Sequence, residues 1–431
     1  PPRARARAMA PGHERRLDPR PALDAAALQA AFRDAGVKPS HAPTVRRYVI
    51  ETFRRWAAEG AEADGCGPGG FGGLGDKPYN VPHAGLDVLA SGFTPCSSRE
   101  VLWSARQSRG SGKLVIELQD GERVEAVVIE HGGRRPRSTV CLSCQVGCRM
   151  GCRFCATGSL GLRAQLSAGE ILEQLLHAVR RASPGAPLRN VVFMGMGEPL
   201  DNYEEVLSAV RVMTARDGFN LAPKNVTVST VGVPRRIVQL AADCPGVNLA
   251  LSLHAPTQEI RERIVPSARG NNLQRLMDAV DLYSVRAGGR KVMMEYILID
   301  GVNASDADAH ALGGLLADRQ AWAMVNLIPY NPTTAGDGHT FCPPSEERCR
   351  SFRDIVASYR RRSDVPGAGA AADAKAGAPI LCTVRWSTVA GQSNSSACGQ
   401  LSLVTAQPLG GRSGARGCVG DIEDAAGAAD G

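Results

Sequence analysis

The sequence predicts an α/β protein whose main body is an incomplete barrel of six strand–helix units, preceded by a small helical domain and a β-hairpin extension. Three observations predict this. From about residue 136, short apolar β-branched runs alternate with amphipathic stretches, the pattern of a parallel sheet covered by helices. Six such units can be counted where a closed barrel needs eight, so the barrel is open at its side, with its chemistry at the carboxyl ends of the strands. Ahead of them, an Ala-rich helical pattern and a two-run hairpin are separated by a Gly-rich stretch.

In chain order, "ALDAAALQAAFRDAG" is Ala-rich with a Gly stop, and Val45, Tyr48, Val49, Phe53 and Trp56 share one helix face. Arg46, Arg47, Arg54 and Arg55 lie largely off that face and read as a solvated basic side. Residues 60–76 hold eight glycines and read as a flexible linker, not a phosphate cradle, because no strand precedes them. "KLVIELQDGERVEAVVIE" is a hairpin turning at Asp120-Gly121. Alternation puts Glu125 on the face of Val127 and Ile129, either solvated or held in a partly apolar setting, and the residues alone favour the solvated face. The later strands are expected near "STVCLS", "NVVFMG", "NVTVST", "GVNLALSL", "KVMMEYILID" and "AMVNLIPY", with a last one at "LCTVRWS". The expected boundaries are 1–20, a disordered leader; 21–97, the helical domain with its Gly-rich loop; 98–135, the hairpin; 136–405, the partial barrel; and 406–431, a disordered tail.

Composition bounds the function. The chain of 431 residues carries a formal charge of +7, which suits a polyanion such as RNA but is weak alone. Thirteen cysteines, unevenly spread in a chain rich in apolar residues, argue against a secreted disulfide framework and for a reducing compartment. No apolar run approaches a membrane span. The Arg-rich start, whose first acidic residue is Glu14, reads either as a disordered leader or as the remnant of an organelle transit peptide. The expected location is therefore the cytoplasm or an organellar stroma or matrix.

"CLSCQVGCRMGCRFCATG" places five cysteines between residues 141 and 155. Cys148, Cys152 and Cys155 have the spacing C-x3-C-x2-C, before a helix opened by a capping box from Ser167 to Glu170. Three neighbouring thiolates can ligate three irons of a 4Fe-4S cubane and leave the fourth iron open to a chelating ligand. A zinc site with Cys144 as fourth thiolate is the alternative, and it lacks the two separated ligand pairs usual for structural zinc.

Three cluster cysteines on the first loop of a six-unit barrel resemble the radical S-adenosylmethionine (SAM) superfamily. "VVFMGMGEPLDNY", "VTVSTVGVP", "LALSLHAPT", "EYILIDGVN", "VNLIPYNP" and "ACGQL" follow the cysteine stretch in the order found in the RlmN/Cfr family of adenosine RNA methyltransferases, which the chain resembles over about residues 98–405. The resemblance implies SAM contacts at Gly197, Glu198, Ser229, Ser252, Leu253, His254 and Asn331. Taken singly, the serines and Asn331 read as turn or cap residues and His254 as a satisfied core imidazole.

The resemblance also implies a mechanism. Cys398 is methylated by a first SAM, and the reduced cluster cleaves a second SAM to a 5′-deoxyadenosyl radical that takes hydrogen from that methyl. The methylene radical adds to adenine, an electron and a proton are removed, and Cys141 attacks Cys398, releasing product and leaving a disulfide that must be reduced. Glu125 matches the family's proton acceptor, and the Cys141 thiolate is the other candidate base. The implied partners are structured RNA, ribosomal first and transfer RNA second, and an electron donor such as flavodoxin or ferredoxin, with a monomeric enzyme and no membrane. Carbon-2 of adenosine is the expected target; carbon-8 methylation, or a non-catalytic metal-containing RNA-binding protein, are the rivals. The chain departs from the family at "RAQL" (Arg163 to Leu166), at Ser-Asn-Ser-Ser before Ala397-Cys398, and at Cys144, where a serine is common.

Overall fold

The structure is a computed structural model, described for residues 15–59, 71, 80–105, 111–319, 322–333, 341–360, 379–386 and 400–401. Two compact units divide the chain: Pro1–Arg149 with Leu160–Val228, and Met150–Ser159 with Ser229–Gly431.

The first unit begins with β1 (Arg20–Pro21), α1 (Ala25–Asp34), α2 (Ala42–Glu59), α3 (His83–Gly92) and β2 (Phe93–Thr94), with β1 and β2 paired in parallel. Asp24 caps α1 by accepting the Ala27 N–H at 3.0 Å. Val45, Val49 and Phe53 of α2 are buried as its periodicity predicts. Its basic side is less solvated than expected. Arg46 is buried and paired with Asp217, whereas Arg54, which donates to the Phe219 carbonyl at 3.0 Å, is exposed like Arg47 and Arg55. Residues 15–20 of the expected leader are among those described, and Arg15 pairs with Asp120 at 2.6 Å and Glu170 at 2.8 Å.

The hairpin is present as β4 (Gly112–Glu117) and β5 (Arg123–His131), but β3 (Arg99–Ala105) joins it as a third antiparallel strand. β5 also pairs antiparallel with β6 (Arg137–Cys141), so the hairpin prolongs the sheet and does not stand apart from it. β7 (Gln145–Cys148) and β8 (Gly161–Gln165) form a small antiparallel pair, followed by α4 (Ala168–Arg181), β9 (Leu188–Phe193), α5 (Tyr203–Thr214) and β10 (Val226–Thr230). β6, β9 and β10 run in parallel. The Ser167–Glu170 capping box opens α4 as read from the sequence.

Gly147 carries the β7–β8 pair. Its φ is +77°, and a Cβ there would lie 1.9 Å from the Gly161 carbonyl oxygen. Gly161, also left-handed at +65°, has open space around its missing Cβ. Gly161→Ala is therefore expected to cost about 1 kcal/mol, the dihedral penalty alone, and Gly147→Ala at least about 2 kcal/mol more. Chemical unfolding of both variants checks this; equal midpoints would remove the steric argument.

The second unit contains α6 (Pro234–Asp243), β11 (Asn248–Ser252), α7 (Gln258–Ile264), α8 (Leu273–Arg286), β12 (Val292–Leu298), α9 (Asp306–Leu316), β13 (Ala323–Pro329), α10 (Glu346–Ser358) and β14 (Leu381–Val384). β11 to β14 are parallel neighbours in chain order. Their near-continuous burial is what a sheet covered by helices requires: Tyr296 of β12 meets Phe352 of α10 with ring centroids 5.4 Å apart. Among the described residues no helix is long and apolar enough to cross a membrane.

Candidate active site

In the first unit, Lys113 of β4, Val127 of β5 and Cys141 of β6 stand directly opposite one another, so their side chains share one face, and Glu125 lies two residues from Val127 on it. This face is not solvated. Glu125 is fully buried, and its Oε1 lies 3.0 Å from Lys113 Nζ, itself 2% exposed. The solvated reading of Glu125 fails because both faces of β4 and β5 are covered. Glu125 and Cys141, predicted to act on one reaction, thus occupy one buried face.

The segment after β6 is clamped by side-chain amides. Gln174 bonds both the N–H and the carbonyl of Ser143, at 2.9 and 2.8 Å. Asn202 donates to the carbonyls of Cys144 and Leu166, both at 2.8 Å. Gln145 Oε1 accepts the Glu198 N–H at 2.8 Å, while its Nε2 donates to Asp201 at 2.8 Å. Gly197 makes this approach possible: its φ is +108°, and a Cβ would fall 2.7 Å from that of Gln145 and 2.9 Å from Cys144 Sγ. Glu198 is 2% exposed, and its Oε1 accepts the Leu200 N–H at 3.0 Å. Burial, reinforced by the Glu198 charge, pushes the Cys144 thiol well above its usual range. Cys148 ends β7 and is on a strand, not in the loop where the sequence placed it.

The second unit holds Cys152 and Cys155 on the segment Met150–Ser159. Cys152 and Phe154 pack with Ala255, Ile264, Val265, Ile297, Ile299 and Tyr330, beyond or near the carboxyl ends of β11, β12 and β13. Burial raises the Cys155 thiol pKa, opposed by hydrogen bonds from Gly158 and Thr157. The ring of Phe154 meets His254 edge-on, with centroids 4.7 Å apart. His254 has left-handed backbone, and burial pushes its pKa down to about 3, so the ring is neutral. Its Nδ1 accepts the Ile297 N–H at 3.1 Å, which leaves the proton on Nε2. Asn303 completes the clamp, donating to the carbonyls of His254 and Ile297, both at 2.7 Å. Arg261 Nε donates to the Leu253 carbonyl at 3.1 Å.

Ser229 and Ser252 are brought together, with hydroxyls 3.4 Å apart, and Asn331 is buried just past β13. Cys398 lies outside the described residues, but Gln400 and Leu401 after it do not: Gln400 donates to the Pro332 carbonyl at 2.8 Å, and the Leu401 carbonyl accepts from Thr157 at 2.5 Å. Sequence reasoning missed Lys113, Gln145, Asn202, Arg261, Asn303 and also Glu295, a carboxyl pushed up to about 7 by burial against the opposing Asn326 hydrogen bond and Arg385 charge. Glu295 had a signal, a charge inside the apolar run Val292–Leu298.

Among the described residues, no three His, Cys, Asp or Glu side chains are gathered in metal-binding fashion. The donor set nonetheless fits an iron–sulfur cluster: Cys148, Cys152 and Cys155 offer three soft thiolates from one short segment. Within the second unit, the paired hydroxyls of Ser229 and Ser252 suit a polar ligand such as SAM.

A parallel, helix-covered sheet with a cysteine segment packed beside its strand ends is the design of a radical SAM protein, and the model of the radical SAM superfamily matches residues 142–312. The ribosomal RNA large subunit methyltransferase N of Nitrosopumilus maritimus is 39% identical over 320 residues, 73% of this chain and 83% of that protein. The dual-specificity RNA methyltransferase RlmN 1 of Myxococcus xanthus is 46% identical over 256 residues, 59% of this chain and 67% of that one. The crystal structure of a radical SAM methyltransferase from Sphaerobacter thermophilus is 35% identical and matches with a TM-score of 0.71, covering 89% of this chain and 99% of that one. The chain belongs to the RlmN family of radical SAM RNA methyltransferases.

Proposed function

We infer that this enzyme methylates carbon-2 of an adenosine in large-subunit ribosomal RNA, and the same atom in transfer RNA. The observation that carries the reading is the match, over 83% of its length, to a ribosomal RNA large subunit methyltransferase. Cys148, Cys152 and Cys155 would hold the 4Fe-4S cluster, and Gly197, Glu198, Ser229, Ser252, Leu253, His254 and Asn331 would hold SAM, two molecules being used per turnover. When bound, these groups supply an electron, a methyl group and a hydrogen-abstracting radical, chemistry that an electron-poor ring carbon needs because it is a poor nucleophile.

The chain's own residues do the rest. Cys398 carries the methyl group and becomes joined through its carbon to the adenine. The adduct gives up one electron, and Glu125, buried beside Lys113, takes the ring proton. Cys141 attacks the Cys398 sulfur, so an S–S bond replaces the S–C bond to the product and the released carbon takes a proton. A two-electron reductant then restores both thiols. A small electron carrier such as flavodoxin or ferredoxin reduces the cluster, and the enzyme works as a monomer.

Mass mapping of ribosomal and transfer RNA from cells with and without the protein tests the reading: 2-methyladenosine should appear only with it, and a carbon-8 product would overturn the choice of atom. Cys398→Ala should keep its cluster while losing methyl loading and RNA methylation. Normal methylation by that variant would refute the two-cysteine mechanism.

A further inference from the structure

We propose that Glu295 is a further SAM-binding residue, its open oxygen Oε1 accepting a hydrogen bond from a ribose hydroxyl of the bound nucleoside. The proposal rests on the radical SAM reading above and adds a residue to it.

Glu295 is the only charged residue in β12 and is 3% exposed. In register it faces Ser252 on β11 and Asn326 on β13, so the three polar side chains form a row on one face of the parallel sheet. That face is turned away from the helices. The next residue, Tyr296, contacts Phe352 of α10, whereas Ile297, two residues on and on the same side as Glu295, packs with Cys152 and Phe154. Row and cysteine segment therefore share one side of this unit. The backbone also ties Glu295 to the expected SAM residues: its carbonyl accepts the N–H groups of Leu253 at 3.0 Å and His254 at 3.2 Å.

The carboxylate is half satisfied. Asn326 Nδ2 donates to Oε2 at 2.7 Å, while buried Oε1 has no hydrogen bond among the described residues. Leaving a buried carboxylate oxygen without a donor is costly, and a residue serving only packing beside Met293 and Met324 would be apolar. The row meets solvent at half-buried Ser252, whose hydroxyl lies 3.4 Å from that of Ser229. In the ionised form, which a donor at this oxygen favours, Oε1 is acceptor-only, so its ligand must donate. SAM offers an ammonium, an adenine amine and ribose hydroxyls. The ammonium is expected at Glu198, and carboxylates are ordinary partners of ribose hydroxyls in nucleotide sites.

The test uses cluster-loaded protein under anaerobic conditions, with SAM and a 2′,3′-dideoxyribose analogue of SAM measured by equilibrium dialysis. Glu295→Gln should bind SAM about 10- to 100-fold more weakly than wild type, the loss expected for a hydrogen bond to a charged group. Iron content and melting temperature should be unchanged. Wild type should prefer SAM to the analogue, and Glu295→Gln should bind the two alike. Equal SAM affinity in wild type and Glu295→Gln overturns the proposal, as does a wild type that binds the analogue as tightly as SAM. If Glu295→Gln does not fold, Glu295→Asp replaces it, and a preference for SAM undiminished in that shortened variant also overturns the proposal. RNA methylation by the wild-type preparation separates the readings: its absence counts against the RNA assignment, whereas unchanged SAM affinity in the variant counts against this one alone.

Discussion

Cys152→Ala is expected to yield a folded protein that binds no iron–sulfur cluster and leaves RNA unmethylated. The fold should survive because the segment around Cys152 is held by groups that the substitution does not touch. The Cys155 N–H donates to the Cys152 carbonyl at 3.1 Å, the Arg153 N–H to the Ile264 carbonyl at 3.0 Å, and Phe154 and Met150 pack on the same apolar cluster. Truncating one buried thiol removes little apolar area, a cost of about 1 kcal/mol. The chemical loss is complete by contrast, because two thiolates cannot replace three. Iron and sulfide analysis after anaerobic reconstitution, with RNA mass mapping, checks both halves. Cys144→Ala is the contrasting case. Its thiol points 3.7 Å from the Met196 carbonyl, so this variant should keep full iron content. Loss of metal by Cys144→Ala as well as by Cys152→Ala would favour the zinc alternative.

Lys113→Met is expected to destabilise the protein by about 3–5 kcal/mol, the cost of breaking a buried ion pair from one side. Lys113 and Glu125 are 2% and 0% exposed in side chain and 3.0 Å apart, on adjacent strands buried on both faces, so the ammonium removed here is the carboxylate's near counter-charge. The double variant Lys113→Met, Glu125→Leu should recover most of that stability, since apolar replacements of similar size often match or exceed a buried pair. It should not recover methylation. Chemical unfolding and single-turnover methylation, measured on the same three proteins, separate the structural role of the pair from the proton-accepting role proposed for Glu125. A double variant that methylates RNA normally would transfer the base function to Cys141.

Much of this could be read along the chain because it depends on local pattern. Alternation located every parallel strand from Arg137–Cys141 to Leu381–Val384, and the Ser167–Glu170 box located the start of α4. The C-x3-C-x2-C spacing singles out the three cysteines proposed to hold the cluster because ligation by neighbouring thiolates is itself a local constraint. β3 escaped because its strand is half exposed and its pairing with β4 is broken by a register shift between Glu100 and Leu102. The β7–β8 pair escaped because both strands are short and their turn was read as cysteine loop.

Charge inside the sheet is where sequence and packing part. Period-two alternation states that Glu125 shares a face with Val127, yet not whether that face meets water. Burial is set by what lies across the sheet, which no window of neighbouring residues contains. Lys113 is 12 positions from Glu125 and becomes its partner only through antiparallel register, and Asn326 reaches Glu295 from 31 positions away. Arg46 reads as a solvated helix residue until Asp217, 171 positions on, closes over it. Strand order, motif order and cluster spacing were therefore legible in one dimension. The environments of Glu125 and Glu295 were not, because a carboxylate's charge and partners depend on the dielectric and donors around it, and these are assembled by long-range pairing.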